Sequence, residues 1–337
     1  MGGVLRRVGV VGAGAITSLH VPFWRQLGWE VSVFALDGAA ELADRYGAQV
    51  RPTLDDLLAD VDVVDVCTPS VSHVEVAGAA VKAGLPVVCE KPMALTFASA
   101  LELAREAERR RVRVLPAHVV RFFGQYEAAH RAVRSGAVGD LAVLRFVRGG
   151  SRPSADWFLD ESASGGIVFD LMVHDLDQAS WLAGPVRTVH AVQNPPGSDG
   201  RVPPEVVAHA TLEHDNGAIS HVQSFWGSPG LTFGPSFDIA GSAGRLVSSP
   251  AHEVTVLEDV PGLATEQSYL PPDTAEESPY LSQLRELSGA LGGDGPCRVS
   301  VWDGVTAVAL AEAARESISR GEPVDFMPWR EQMAALR

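Results

Sequence analysis

Along its first third the chain alternates short, β-branched, mostly apolar runs with longer stretches in which alanines, charges and apolar residues recur at helical spacing. The runs are Val8–Val11, Glu30–Leu36, Val61–Cys67, Pro86–Cys89 and Val112–Pro116. Apolar runs without alternation suit strands covered on both faces. Between them, Ala39–Tyr46, Ser72–Ala83 and Ala98–Arg110 carry helical spacing, and Gly47 and Gly84 stand where helix stops are expected. Strands that alternate with helices predict a parallel sheet joined by crossovers.

Past His118 the texture changes. A helix is predicted over Gln125–Ser135, then strands over Leu141–Val147, Val206–Leu212, Ala218–Trp226 and Ser236–Ala240. Asp215-Asn216-Gly217 predicts an antiparallel hairpin, with Asn-Gly supplying the positive φ angles of a tight turn. Asn194–Pro204 and Glu258–Pro279 read as loops within a domain, since strand or helix patterns resume on both sides. The expected fold is α/β. A doubly wound parallel sheet occupies residues 1–118, and an α+β domain with a large, mainly antiparallel open sheet occupies residues 119–337.

Composition narrows the classes. With 337 residues, 46% of them apolar, the chain can bury a large core in two domains. No run approaches the roughly 18 to 20 uninterrupted apolar residues of a membrane span, so no membrane partner is expected. Arg6 and Arg7 before Val8–Ile16 imitate the start of a signal peptide, but that run contains a glycine motif and reads as the first strand. The formal net charge of −15, with Glu253–Glu277 free of Lys and Arg, repels phosphate backbones and argues against nucleic acid. Cys67, Cys89 and Cys297 show no pairing pattern, which points to a reducing compartment, with cytoplasm as the expectation. His209 with His214, or His118 with Arg121, forms no recognised ligand spacing, so no metal is expected.

Chemistry enters directly after the first strand, at Gly12-Ala13-Gly14-Ala15-Ile16-Thr17. A first glycine permits the tight turn, a second lets the backbone approach a pyrophosphate, and the helix that follows aims N–H groups at the negative charge. Thr17 replaces the usual third glycine. Asp37 follows the second strand about 20 residues on, where a carboxylate binds ribose hydroxyls. The pattern predicts a Rossmann dinucleotide site built by Gly12, Gly14, Ala15, Ile16 and Asp37. NAD is expected over NADP, because Asp37 repels a 2′-phosphate and no Lys or Arg immediately follows it. Two more strand ends point at the same crevice with Thr68-Pro69-Ser70 and Glu90-Lys91-Pro92, and Lys91 is one of only two lysines.

Glu90-Lys91-Pro92, Thr68-Pro69 with His73, and Gly165-Gly166-Ile167-Val168-Phe169-Asp170 running into His174-Asp175-Leu176-Asp177 together resemble the glucose-fructose oxidoreductase, inositol dehydrogenase and MocA family of dehydrogenases. His118 with Arg121-Phe122, Trp181-Leu182-Ala183-Gly184 and Gly241-Ser242-Ala243-Gly244 extend the resemblance over nearly the whole chain. The resemblance implies that Lys91 lies near the nicotinamide, that Thr68, Pro69, His73 and Glu90 belong to the cofactor site, and that Asp170 and His174 are the catalytic pair. It also implies a homodimer or homotetramer through the second sheet, for which Phe225, Trp226, Phe233 and Phe237 offer apolar area.

The residues agree with that pairing. If Asp170–Ala183 is an α-helix started by Gly165-Gly166, then Asp170, His174, Asp177 and Trp181 share one face. An imidazole takes a hydroxyl proton near neutral pH, and an adjacent carboxylate fixes its tautomer. The expected activity is hydride transfer between a nicotinamide and a sugar, inositol or related polyol lying between the domains. His174 acts as general base, Lys91 stabilises the alkoxide-like oxygen, and His118, Arg121 and Trp157 line the pocket. Two alternatives stay open from the sequence: an NAD-dependent glycosidase of the same fold, and a non-catalytic dinucleotide sensor.

Overall fold

The computed structural model describes residues 6–249, 277–291 and 297–335, which form two compact units. Unit 1 begins with β1 (Arg6–Val11), α1 (Thr17–Gln26), β2 (Trp29–Phe34), α2 (Ala39–Tyr46), β3 (Gln49–Val50) and α3 (Leu54–Leu58). It continues through β4 (Val63–Val66), α4 (His73–Lys82), β5 (Val87–Cys89), α5 (Phe97–Arg110) and β6 (Val114–Pro116). The strands form one parallel sheet in the order β3-β2-β1-β4-β5-β6. Strand order reverses at β1, which puts the ends of β1 and β4 at the switch point where ligands of such sheets bind. The predicted runs become these strands because their residues are covered on both faces; all four residues of β4 are buried. Among these elements β3 and α3, two and five residues long, escape the sequence reading.

Unit 2 contains α6 (Gly124–Arg134), β7 (Leu141–Ser151), α7 (Glu161–Ser164), α8 (Val173–Ala183), β8 (Val186–Asn194), β9 (Val206–His214), β10 (Ile219–Gly227), β11 (Gly234–Gly241) and β12 (Arg245–Ser248). With β13 (Val324–Asp325), its sheet has seven strands in the order β12-β11-β7-β10-β9-β8-β13, antiparallel except for the β7–β10 pair. Burial alternates along β9 and β10, so one face is packed and the other open. The predicted hairpin joins these two strands, but only Gly217 of its turn has positive φ. Asn216 instead ties the turn to the protein, donating from Nδ2 to the Ala183 carbonyl and accepting the Ala218 N–H at Oδ1, both at 3.1 Å. Trp226 and Phe237 are buried within the protomer, which leaves Phe225 and Phe233, half-buried, as the aromatic residues of that group with open surface.

The remaining elements are α9 (Pro279–Leu291), α10 (Val301–Arg320) and α11 (Met327–Ala334). A single boundary at residue 118 is too simple. Unit 1 runs to Phe122 and takes back the chain up to Val305, because Leu284, Leu287 and Ala290 of α9 pack with Val21 and Trp24 of α1 in its core. Glu258–Pro279 and the acidic stretch beginning at Glu253 lie almost wholly outside the described residues. Among the described residues, no helix is long and apolar enough to cross a membrane.

Candidate active site

The glycine loop follows β1 at the switch point. Gly12 has φ +114°, and a Cβ there would lie 2.5 Å from the Cys67 carbonyl oxygen, so the turn requires glycine on two counts. Its N–H donates to the Phe34 carbonyl at 2.8 Å, fixing the loop to the end of β2. Gly14 and Ala15 are exposed, and nothing lies within 4 Å of a Cβ built on Gly14. No side chain caps α1. An open glycine surface before an uncapped helix fits a pyrophosphate, whose charge the helix N-terminus favours. Thr17 is fully buried where a third glycine is usual, and its hydroxyl has no partner in the structure.

Asp37 stands three residues beyond β2, exposed, and accepts the Gly38 N–H at 2.8 Å. Thr68 and Pro69 follow β4, the first half-buried and the second exposed. At the end of β5, Glu90 is buried and Lys91 half-buried, with a cis bond between Lys91 and Pro92. Gly12, Gly14, Asp37, Thr68, Glu90 and Lys91 thus all follow carboxyl ends of neighbouring parallel strands.

His73, expected in the cofactor site, is buried between these strand ends. Its Nδ1 is 2.7 Å from the Pro92 carbonyl and its Nε2 2.8 Å from that of Thr68. Burial lowers its pKa, so the neutral ring donates to one carbonyl at a time and holds the β5 turn against the β4 end. Arg121, expected at the substrate, is 2% exposed and donates to Asp303 Oδ1 at 3.0 Å and to the Arg298 carbonyl at 2.8 Å, all within unit 1. His118 is buried too.

Unit 2 supplies the other candidates. Gly165 and Gly166, both at positive φ, end α7 and release the chain into a π-helical turn over Val168–Met172, which continues as α8. Asp170 lies inside that wide turn, buried, and His174 stands half-buried in the first turn of α8. The single α-helical face expected over Asp170–Ala183 is therefore interrupted at its start. Trp181 stacks on His130 of α6, with ring centroids 3.8 Å apart and planes 2° from parallel. Directly after His174, Asp175 is fully buried and accepts from Arg148 Nε and Nη2 of β7, both at 2.8 Å. Arg148 also donates to the Tyr126 hydroxyl at 3.0 Å. Trp157 is half-buried and stacked on Phe158 at 3.8 Å.

A polar cluster behind the glycine loop escapes the motif reading. His20 and Trp24 of α1 reach Asp65 in the middle of β4. A lone carboxylate in Val63-Val64-Asp65-Val66 is the trace it leaves in the sequence, since a charge in a strand covered on both faces must be paired.

A strand-turn-helix glycine loop at the switch point, with an acid past the second strand, defines a dinucleotide-binding protein. Residues 6–118 match the oxidoreductase family with an NAD-binding Rossmann fold, and residues 126–247 match the GFO/IDH/MocA C-terminal domain. The chain belongs to this family and is an NAD-binding oxidoreductase. It is 32% identical to inositol 2-dehydrogenase 2 of Saccharopolyspora erythraea, over 95% of this chain and 96% of that one. It is 29% identical to the rhizopine catabolism protein MocA of Rhizobium meliloti, over 93% and 95%. Among solved structures, GenD2 from gentamicin A biosynthesis, in complex with NAD, superposes with a TM-score of 0.84 at 28% identity, covering 96% of this chain and 97% of that one.

Proposed function

We propose that the chain is an NAD-dependent dehydrogenase acting on a CH–OH group of an inositol, sugar or related polyol, with Lys91, Asp170 and His174 as its catalytic residues. The observation that carries this reading is a division of burial. Lys91 and His174 keep open surface, while their sequence neighbours Glu90 and Asp175, and Asp170 four residues before His174, are buried. Substrate class is supported by full-length relatives that are inositol dehydrogenases, including the myo-inositol 2-dehydrogenase of Thermotoga maritima at 28% identity.

Gly12, Gly14, Ala15 and Ile16 would hold the pyrophosphate and Asp37 the adenosine ribose, with Thr68, Pro69 and Glu90 further along the same strand ends. When bound, NAD supplies the acceptor for hydride. His174 takes the hydroxyl proton from the substrate, since a half-exposed imidazole can exchange that proton with solvent afterwards. Lys91 donates to the same oxygen and stabilises the charge that develops on it. Asp170 orients the imidazole. His118, Arg121 and Trp157 are the pocket residues of this reading, with Arg121 held in place by Asp303.

A screen of inositols, polyols and aldoses with NAD and NADP, read by absorbance of the reduced cofactor, tests the assignment. Reduction of NAD by at least one cyclic or linear polyol is expected. Binding of NAD without reduction by any of them would contradict it.

A further inference from the structure

Unit 1 buries a second set of titratable groups that the hydride-transfer chemistry does not call on. His20 is fully buried between two acids: its Nδ1 is 2.8 Å from Asp65 Oδ2, and its Nε2 is 3.4 Å from Glu90 Oε1. Asp65 Oδ2 also accepts from Trp24 Nε1 at 2.6 Å, and Cys67 Sγ is 3.5 Å from Asp65 Oδ1. At the other end, Glu90 Oε2 accepts the backbone N–H of Lys91 at 3.2 Å. Two carboxylates in one buried space repel each other and lose hydration, so a cation between them decides whether both stay ionised.

We propose that His20 is a positioning residue for Lys91: set between Asp65 and Glu90, it keeps the Glu90 carboxylate charged and fixed, and Glu90 in turn holds the Lys91 backbone. The inference rests on the reading of Lys91 as catalytic. Burial opposes charge on His20, but the Asp65 charge and hydrogen bond together with Glu90 outweigh it and raise its pKa. Burial also pushes the Glu90 carboxyl up; His20 and Lys91 pull it back, and Asp65 pushes it further. The titratable groups around this pair are Asp65 and Cys67 after and within the β4 end, Cys89 and Lys91 beside Glu90, and Tyr280 of α9, whose ring lies 6.5 Å from that of His20. His20, Asp65 and Cys67 also offer three ligand atoms within 4.8 Å of one another. A relay fits better than a metal, because Asp65 Oδ2 already accepts two donors, and burial, Asp65 and Glu90 keep the Cys67 thiol well above its ordinary pKa.

The test is kcat against pH, with NAD affinity measured alongside, for the full chain carrying Glu90→Gln, His20→Gln, His20→Asn or Lys91→Ala. Glu90→Gln should lower kcat about tenfold or more at every pH, toward the lower end of what a group at a catalytic centre contributes, because an amide has no charge to regain. His20→Gln should lower kcat most in acid and recover as pH rises, moving the acid limb up by about one unit or more, as loss of an adjacent opposite charge does. His20→Asn should move the limb the same way and serves if His20→Gln does not fold. NAD affinity of His20→Gln should stay near that of the parent. Combining His20→Gln with Glu90→Gln should cost little beyond Glu90→Gln alone, since the residues act as one unit. A folded His20→Gln or His20→Asn with the parent's kcat and an unmoved acid limb, beside an inactive Lys91→Ala, overturns the relay and leaves Lys91 in place. Full activity in Lys91→Ala overturns the catalytic reading itself. One equivalent of zinc in the purified protein, lost with His20→Gln, would replace the relay by a metal centre.

Discussion

Asp37 is the residue on which the proposed preference for NAD over NADP rests. It is exposed, with one oxygen on the Gly38 N–H, and leaves its carboxylate facing solvent where a ribose would sit. Charged hydrogen bonds contribute about 1.5–3 kcal/mol, so Asp37→Ala should cut kcat/KM for NAD about tenfold to a hundredfold while NADP is spared. Steady-state rates with both cofactors check this, and a parent enzyme that prefers NADP would contradict it. Such residues were legible because a motif places them: the loop glycines and Asp37 follow from strand-turn-helix spacing alone. His73 and Arg121 were legible as residues but not as contacts. A sequence does not show that both nitrogens of one ring meet backbone carbonyls, or that a guanidinium is taken up by Asp303, which lies in a part of the chain far from it in sequence.

At the scale of elements, β7 and α8 are locked together by the buried Arg148–Asp175 pair, with Tyr126 as third partner. Removing one ion of a buried pair strands the other, at a cost of about 3–5 kcal/mol. Asp175→Asn should therefore lower stability by that order in denaturant unfolding, and the paired change Arg148→Met with Asp175→Leu should cost less than Asp175→Asn. A loss below about 1 kcal/mol for Asp175→Asn, the range of an exposed pair, would show the lock to be weak. The hairpin end of β9 gives a pH prediction. His214 is buried, with Nδ1 2.9 Å from the Gly184 carbonyl and Nε2 2.8 Å from the Ser220 hydroxyl. Burial lowers its pKa in the folded protein below the ordinary 6.5. Below pH 6.5 the unfolded chain binds a proton that the folded one does not, so this contribution to stability falls as pH drops and levels off under the folded pKa. His73 acts in the same direction and His20 in the opposite one. Unfolding of His214→Gln between pH 7.5 and 5, a span of roughly one unit or more either side of the free imidazole value, should show a shallower decline than the parent. The elements themselves were legible wherever apolar periodicity is strong. The π turn around Asp170 was not, because a helix one residue wider per turn leaves no mark in hydrophobic spacing, and such turns cluster at functional sites.

For the molecule as a whole, the open face of the unit 2 sheet is the surface on which self-association would rest. Val192 and Ile219 are 52% and 39% exposed there, and the Phe225 ring lies over Gly149. Apolar area of this kind is what homodimer interfaces gather, so light scattering at micromolar concentration should give the mass of a dimer or tetramer, and Phe225→Arg should shift it toward the monomer. A monomer mass for the parent would remove the proposal. The most direct test of the catalytic account is single-turnover hydride transfer with the substrate found by the screen, alongside NAD affinity from tryptophan fluorescence quenching. Lys91→Ala and His174→Ala should each slow the chemical step by roughly a hundredfold to ten-thousandfold with NAD affinity largely kept, and Asp170→Asn should cost less than His174→Ala. On the proposed mechanism the two residues serve one substrate oxygen, so the double variant should lose far less than the product of the single losses. Turnover of both single variants within about threefold of the parent, well short of a general acid or base, would contradict the account.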